Sequence, residues 1–210
     1  MTPIVNDNDI ATLRALNPMF DKIILKYQVP PNWHRPPGFV TLSKLILEQQ
    51  VSLDSAHAHF LKLSTFLDEF TPERILMLSD EEMRNCHISR QKAGYLRNLS
   101  TAILTGKLDL DPLQHLSDQE VRLHLTSLKG IGDWTTDVYL LFCLQRKDIF
   151  PIGDIAVVNT MKELTPAQTK VEILDYAESW RPLRSLATYL LWHYYLMKRS
   201  RTAPFELHEL

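Results

Sequence analysis

A chain of 210 residues with 45% hydrophobic and 23% charged residues has ordinary globular composition and enough length to bury a real core, as one unit or two small subdomains. Its formal charge of −2 argues against a general nucleic-acid binder, although backbone donors and a few cations on one face suffice to hold several phosphates. No apolar run approaches a bilayer span, the first ten residues lack a signal pattern, and two cysteines and eight scattered histidines offer no metal-ligand spacing; the expectation is a cytoplasmic protein with no membrane contact and no side-chain metal site.

Apolar residues recur at helical spacing throughout, and no segment alternates with period two, so the predicted fold is all-α. Residues 9–27 read as one or two helices with Ile10, Leu13, Leu16, Phe20, Ile23, Ile24 and Tyr27 inward. Four prolines in residues 29–38 exclude helix there; this run is a candidate crossing between subdomains, with Trp33 packed. Residues 39–50 form the next helix, Leu42, Leu45 and Ile46 inward, closing on Gln49 and Gln50, whose plain reading is a solvated helix end. Ser52 then caps a long helix carrying Ala56, Phe60, Leu63 and Leu67.

Thr71-Pro72 and the capping box of Ser79 with Glu82 start two short helices. A longer one begins at Ser89 and stops at Gly106, with Arg90, Lys92 and Arg97 read as a solvated face. Residues 109–112 connect to a helix opened by a second capping box, Ser117 with Glu120, whose apolar face is Val121, Leu123, Leu125 and Leu128. Gly130 falls where a helix end wants positive φ, and Gly132 closes a tight turn before a helix over residues 134–146. Asp154 sits at an N-cap position after Phe150-Pro151-Ile152-Gly153. Thr165-Pro166 and Arg181-Pro182 are expected to open the last two helices, and the tail, residues 200–210, is expected to lie loosely on the surface.

The turn Leu128-Lys129-Gly130-Ile131-Gly132-Asp133-Trp134-Thr135 is a helix-hairpin-helix, which aims backbone N–H groups at an anion from a helix start. Alone, such a turn is more often an ordinary helix connection, and Asp154 alone is more often a plain cap. Together and in this order, LKGIGxWT, helix, FPxGD resembles the helix-hairpin-helix Gly/Pro/Asp superfamily of DNA glycosylases, and within it the 3-methyladenine DNA glycosylase II family. The segment Leu45 to Ser52, LILEQQVS, is similar to another stretch of that family.

The resemblance covers roughly residues 39–198. It implies two helical subdomains flanking a DNA-binding cleft: residues 1–40 with 131–210, carrying the catalytic acid, and a central bundle of residues 41–130, with the hairpin at the boundary. It implies a base-excision enzyme that hydrolyses the N-glycosidic bond of alkylated purines in duplex DNA. Asp154 would be catalytic, Trp134 and Trp192 would wall the base pocket, and Gln50, Gly130, Ile131, Gly132 and Thr135 would bind DNA, Gln50 by wedging into the stack. Trp134 stands where strand-cutting members carry a lysine, which implies no lyase step. No cofactor is required, although hairpin carbonyls in the family often hold Na+ or K+. Double-stranded DNA with a damaged base is the implied partner, for a monomer that in a bacterium would sit with the nucleoid. One departure stands out: the branch often has a tyrosine where this chain has Val138. A non-catalytic helix-hairpin-helix protein and a glycosylase for oxidised or mismatched bases remain open as alternatives.

Overall fold

The structure, a computed structural model, describes residues 3–201; within them there are twelve α-helices and a short 3-10 helix, and no strand. The expectation for the tail therefore falls, from residue 202 on, outside the described residues. Packing divides the chain into two units: one runs to Arg35 and resumes at Leu140, and the other is Pro36–Tyr139. The divisions thus fall inside the proline run, before Pro36, and inside the ninth helix, so that the hairpin lies within the second unit.

In the first unit α1 (Asp7–Leu16) is capped by Asn6 and α2 (Pro18–Tyr27) by Asn17, each through a side-chain oxygen that accepts a first-turn N–H. Ile10, Leu13, Phe20 and Ile23 are buried as expected, whereas Leu16, at the end of α1, is half exposed. The unit is built on α12 (Arg184–Lys198), which packs against α2 and α10 (Ile155–Leu164) and is buried on nearly every side over residues 185–193. A helix covered all round needs its polar groups satisfied by specific partners, and α12 supplies them in register. Tyr189 donates to the carbonyl of Trp33 at 2.5 Å, and a His193 ring nitrogen lies 2.8 Å from the carbonyl of Tyr27. The proline run is thereby tied down, with Trp33 only 3% exposed.

Two helix starts differ from expectation. Thr165 ends α10, its hydroxyl donating back to the Met161 carbonyl, and α11 (Lys170–Glu178) is opened instead by Thr169 in a capping box with Glu172. Three residues after Thr165 stands Gln168, but its side chain turns back to the Lys162 carbonyl, whereas Glu172 takes the amides of Gln168 and Thr169. The final helix begins after Leu183 without a side-chain cap, rather than at Pro182.

In the second unit α3 (Phe39–Glu48) packs on α4 (Leu53–Phe66) and on α7 (Arg90–Leu104), and α7 also receives α5 (Pro72–Met77) and α6 (Asp80–Asn85). Leu42, Leu45, Ile46, Leu63, Ile75 and Leu96 are fully buried, each contributing roughly 1.5–3 kcal/mol of transfer free energy. Residues 111–115 form the 3-10 helix, and α8 (Asp118–Thr126) starts with the Ser117/Glu120 capping box. Val121, Leu125 and Leu128 are buried, whereas Leu123 is 65% exposed and belongs to the solvent face. After the hairpin, α9 (Asp133–Phe142) ends sooner than the apolar pattern suggested; a bond from the Arg146 amide to the Leu140 carbonyl closes the turn beyond it.

On α7 Arg90 is exposed as expected, but Lys92 and Arg97 are not simply solvated. Lys92 is half-buried and donates to the Leu47 carbonyl at 2.7 Å, and burial lowers its pKa. Arg97 bonds Asp80 and the Leu78 carbonyl. Both bonds hold helix ends, Lys92 that of α3, just before Gln49 and Gln50.

Candidate active site

The hairpin is fixed by three kinds of contact inside the second unit. Gly130 has φ 108°, and a Cβ there would stand 2.3 Å from Cγ of Tyr95 on α7, so both the backbone angle and the close ring require glycine. Gln49, the C-cap residue of α3, donates through Nε2 to the Gly130 carbonyl at 2.9 Å and to Thr135 Oγ1 at 3.1 Å. Asn98 of α7 reaches the Lys129 carbonyl at 3.3 Å. An ion pair of Arg122 on α8 with the buried Asp137 on α9 joins the two helices that flank the turn.

Within this turn Ile131 and Thr135 are buried at 4% and 1% exposure, so their side chains serve the packing. Gly132 is exposed, with no atom within 4 Å of where a Cβ would stand, which leaves its backbone approachable. Lys129 is exposed ahead of the turn, and Trp134, second residue of α9, is half-buried. Gln50 is exposed in the left-handed region at φ 59°, between α3 and the Ser52 cap of α4. A glutamine held there is uncommon, and its side chain stands at the tip of an elbow whose neighbouring residue is bonded to the hairpin.

In the first unit Asp154 is 5% exposed and caps α10. Its Oδ1 accepts the amides of Ala156 at 2.9 Å and Val157 at 3.1 Å and also the indole N–H of Trp192 at 3.0 Å. All three donors converge on one oxygen at a helix start, where the backbone carries partial positive charge. The loop that delivers Asp154 is pinned to the start of α12. Ser185 donates to the Arg146 carbonyl and accepts the Ile149 amide, and Arg184 holds the carboxylate and carbonyl of Asp148. Thr188 completes the series with a bond to the Ile149 carbonyl at 3.4 Å. Arg184, Thr188 and Trp192 lie four residues apart, a single stripe of α12 that follows the loop to the acid.

The sequence pattern of the HhH-GPD superfamily, base excision DNA repair proteins, matches residues 43–182. The chain belongs to this superfamily. Both the hairpin and Asp154 fall inside the HhH-GPD match, whereas Trp192 lies beyond it. Among HhH-GPD relatives, DNA-3-methyladenine glycosylase 1 of Schizosaccharomyces pombe is 29% identical over 191 residues, 88% of this chain and 82% of that protein. Endonuclease III of Sulfolobus acidocaldarius is 30% identical over 167 residues, 78% of this chain and 72% of that one. A solved structure of the S. pombe 3-methyladenine DNA glycosylase in complex with abasic DNA superposes with a TM-score of 0.80 at 26% identity, covering 95% of this chain and 99% of that one.

Of the residues singled out in the sequence, the fold brings Asp154 and Trp192 into direct contact, and places Gly130 and Thr135 on one bonded network. That network runs through Gln49, whose place in the sequence reads as a solvated helix end, and it packs on Tyr95, which no sequence motif marks. The four-residue spacing of Arg184, Thr188 and Trp192 along α12 was the available signal for the Trp192 contact. The hairpin residues have no such signal for their partners on α3 and α7. Val138 and Tyr139 are both buried; the Tyr139 hydroxyl accepts the Gly38 amide at 3.2 Å, a structural role.

Proposed function

We propose that the protein is a monofunctional DNA glycosylase that hydrolyses the N-glycosidic bond of alkylated purines, of the 3-methyladenine and 7-methylguanine type, in duplex DNA. The observation that carries this reading is Asp154, a buried carboxylate at a helix N-terminus in a chain of this superfamily. Relatives named for 3-methyladenine support the substrate class.

As the base departs, positive charge grows on the sugar, and a fixed carboxylate stabilises it without reorganisation. Water adds at C1′ and gives its proton to the carboxylate or to solvent, while the base leaves with the bonding pair. A purine already carrying an alkyl group and a positive charge leaves neutral and needs no acid to protonate it, so one carboxylate is sufficient. Trp134 offers an aromatic face that attracts such a flat cation beyond simple stacking. An indole cannot form a Schiff base, and with Trp134 in the lysine's place base release proceeds without strand cleavage.

Gln50, at the exposed elbow, is suited to fill the space of the flipped nucleotide and to pair with the orphaned base. Gly132 admits a phosphate to the hairpin backbone. A monovalent cation, Na+ or K+, fits the same turn: the carbonyls of Leu128, Lys129 and Gly130 each accept one hydrogen bond, from Ile131, Asn98 and Gln49, and a carbonyl oxygen has a second lone pair for a hard cation. Such an ion would help hold a phosphate and takes no part in bond breaking. The proposed form is a monomer; no helix among the described residues is long and apolar enough to cross a membrane.

The test is release of free base from duplexes carrying methylated, deaminated or oxidised bases, with borohydride present in parallel. Release of methylated purines with no trapped adduct is expected. Preferential release of an oxidised base, or a covalent adduct, would replace this reading with that of a different glycosylase.

A further inference from the structure

The resemblance assigns Trp192 to the wall of the base pocket, and its surroundings in the fold give it a further partner. The side chain is 9% exposed and is packed against Phe142, ring centroids 5.1 Å apart, and Trp33, 6.4 Å apart. Trp33 is itself held by its carbonyl, which accepts from the Tyr189 hydroxyl at 2.5 Å and from Gln145 Nε2 at 3.0 Å. An indole enclosed in this way has few orientations left, and the one it adopts aims its N–H at Oδ1 of Asp154 at 3.0 Å. Most buried indole donors find an acceptor, and this one finds the carboxylate on which the proposed chemistry depends.

We propose that Trp192 is the positioning residue for Asp154. The amides of Ala156 and Val157 come from the acid's own helix and tie the acid to nothing beyond it. The indole, thirty-eight residues away in the chain, supplies the third donor to the same oxygen and sets the plane of the carboxylate. Rotation about the Cβ–Cγ bond would break all three bonds at Oδ1, so the acid is presented in one orientation before any DNA arrives. A carboxylate fixed by bonds of this kind has little reorganisation left to make as positive charge develops on the sugar. The proline run contributes through Trp33, which backs the indole. This inference rests on the glycosylase reading for its functional consequence, but the hydrogen bond itself does not.

The experiment uses the full chain. Single-turnover release of 7-methylguanine is measured for the wild type and for Trp192→Phe, together with binding to a duplex carrying an uncleavable abasic analogue. A positioning role predicts that the rate at saturation falls about 10- to 100-fold, the worth of one hydrogen bond to a charged group, while binding changes less than about twofold. A pocket wall predicts the reverse split, with weakened binding of the lesion, altered preference among methylated bases and a preserved rate, and would overturn the proposal. In the wild type, the indole ¹⁵N–¹H resonance lost in Trp192→Phe must also shift in Asp154→Asn, where the acceptor is neutral. A resonance indifferent to Asp154 would refute the contact even where Trp192→Phe fails to fold, in which case a Trp192 resonance assigned by backbone connectivity is followed instead. Failure of the wild type to release any methylated base, with the two resonances still coupled, would count against the glycosylase reading and leave the contact standing.

Discussion

The hairpin of residues 128–135 and the corner of residues 150–157 each carry one half of a motif, yet they are held in opposite ways. The hairpin takes its shape from outside itself: the ring of Tyr95 against Gly130, the Gln49 amide on the Gly130 carbonyl and Thr135, and the Arg122–Asp137 pair across its flanking helices. The corner leans first on itself, because Asp154 caps its own helix with two amides and also accepts from a donor far along the chain, Trp192. A turn that must present bare backbone to a ligand has no side chain to spare for its own support and borrows it from neighbours. An acid at an N-cap is fixed by the same amides that make the helix begin.

That difference predicts different costs. Gly130→Ala should be the most damaging to the fold, since it combines a disfavoured φ with a clash against a ring, for roughly 2–4 kcal/mol; chemical denaturation measures it, and a loss below about 0.5 kcal/mol would mean that Tyr95 simply moves aside. Gln49→Leu should follow, at about 1–3 kcal/mol, because the Gly130 carbonyl and Thr135 hydroxyl lose their shared donor in a part-buried place. The same variant should weaken binding to duplex DNA without changing the rate of base release once bound. Asp154→Asn, by contrast, should cost under about 1 kcal/mol of stability, because asparagine caps a helix nearly as well as aspartate.

The smallest effect is expected away from both regions. The carboxyl of Glu120 is held below its ordinary value by the hydroxyl and amide of Ser117. A depressed carboxylate contributes stability above its ordinary titration range, and the contribution disappears as pH falls through the lowered value. Glu120→Gln should therefore lower the melting temperature slightly at pH 7 and make it less sensitive to acid; melting curves between pH 7 and 3 check this.

How much of this was legible followed from how local each interaction is. The capping boxes at Ser79 and Ser117, the cap at Asp154 and the positive φ at Gly130 involve neighbours within a turn, and all were read from the chain. Thr165 looked like a start because a proline follows it, but the box at Thr169 and Glu172 won. Of the adjacent pair Gln49 and Gln50, nothing in the sequence says which one turns inward. In the fold the first bonds the hairpin, and the second, with left-handed backbone, is exposed to solvent. The likeness of Trp192 to a pocket aromatic carried no hint that its N–H points at the acid.

The central claim is that Asp154 performs the chemistry while its region keeps its shape without the charge. Single-turnover release of 7-methylguanine by Asp154→Asn, compared with wild type at saturating enzyme, tests it most directly. The expected result is a rate lower by about 10²- to 10³-fold with duplex binding and melting temperature nearly unchanged; release within a few-fold of wild type would contradict it.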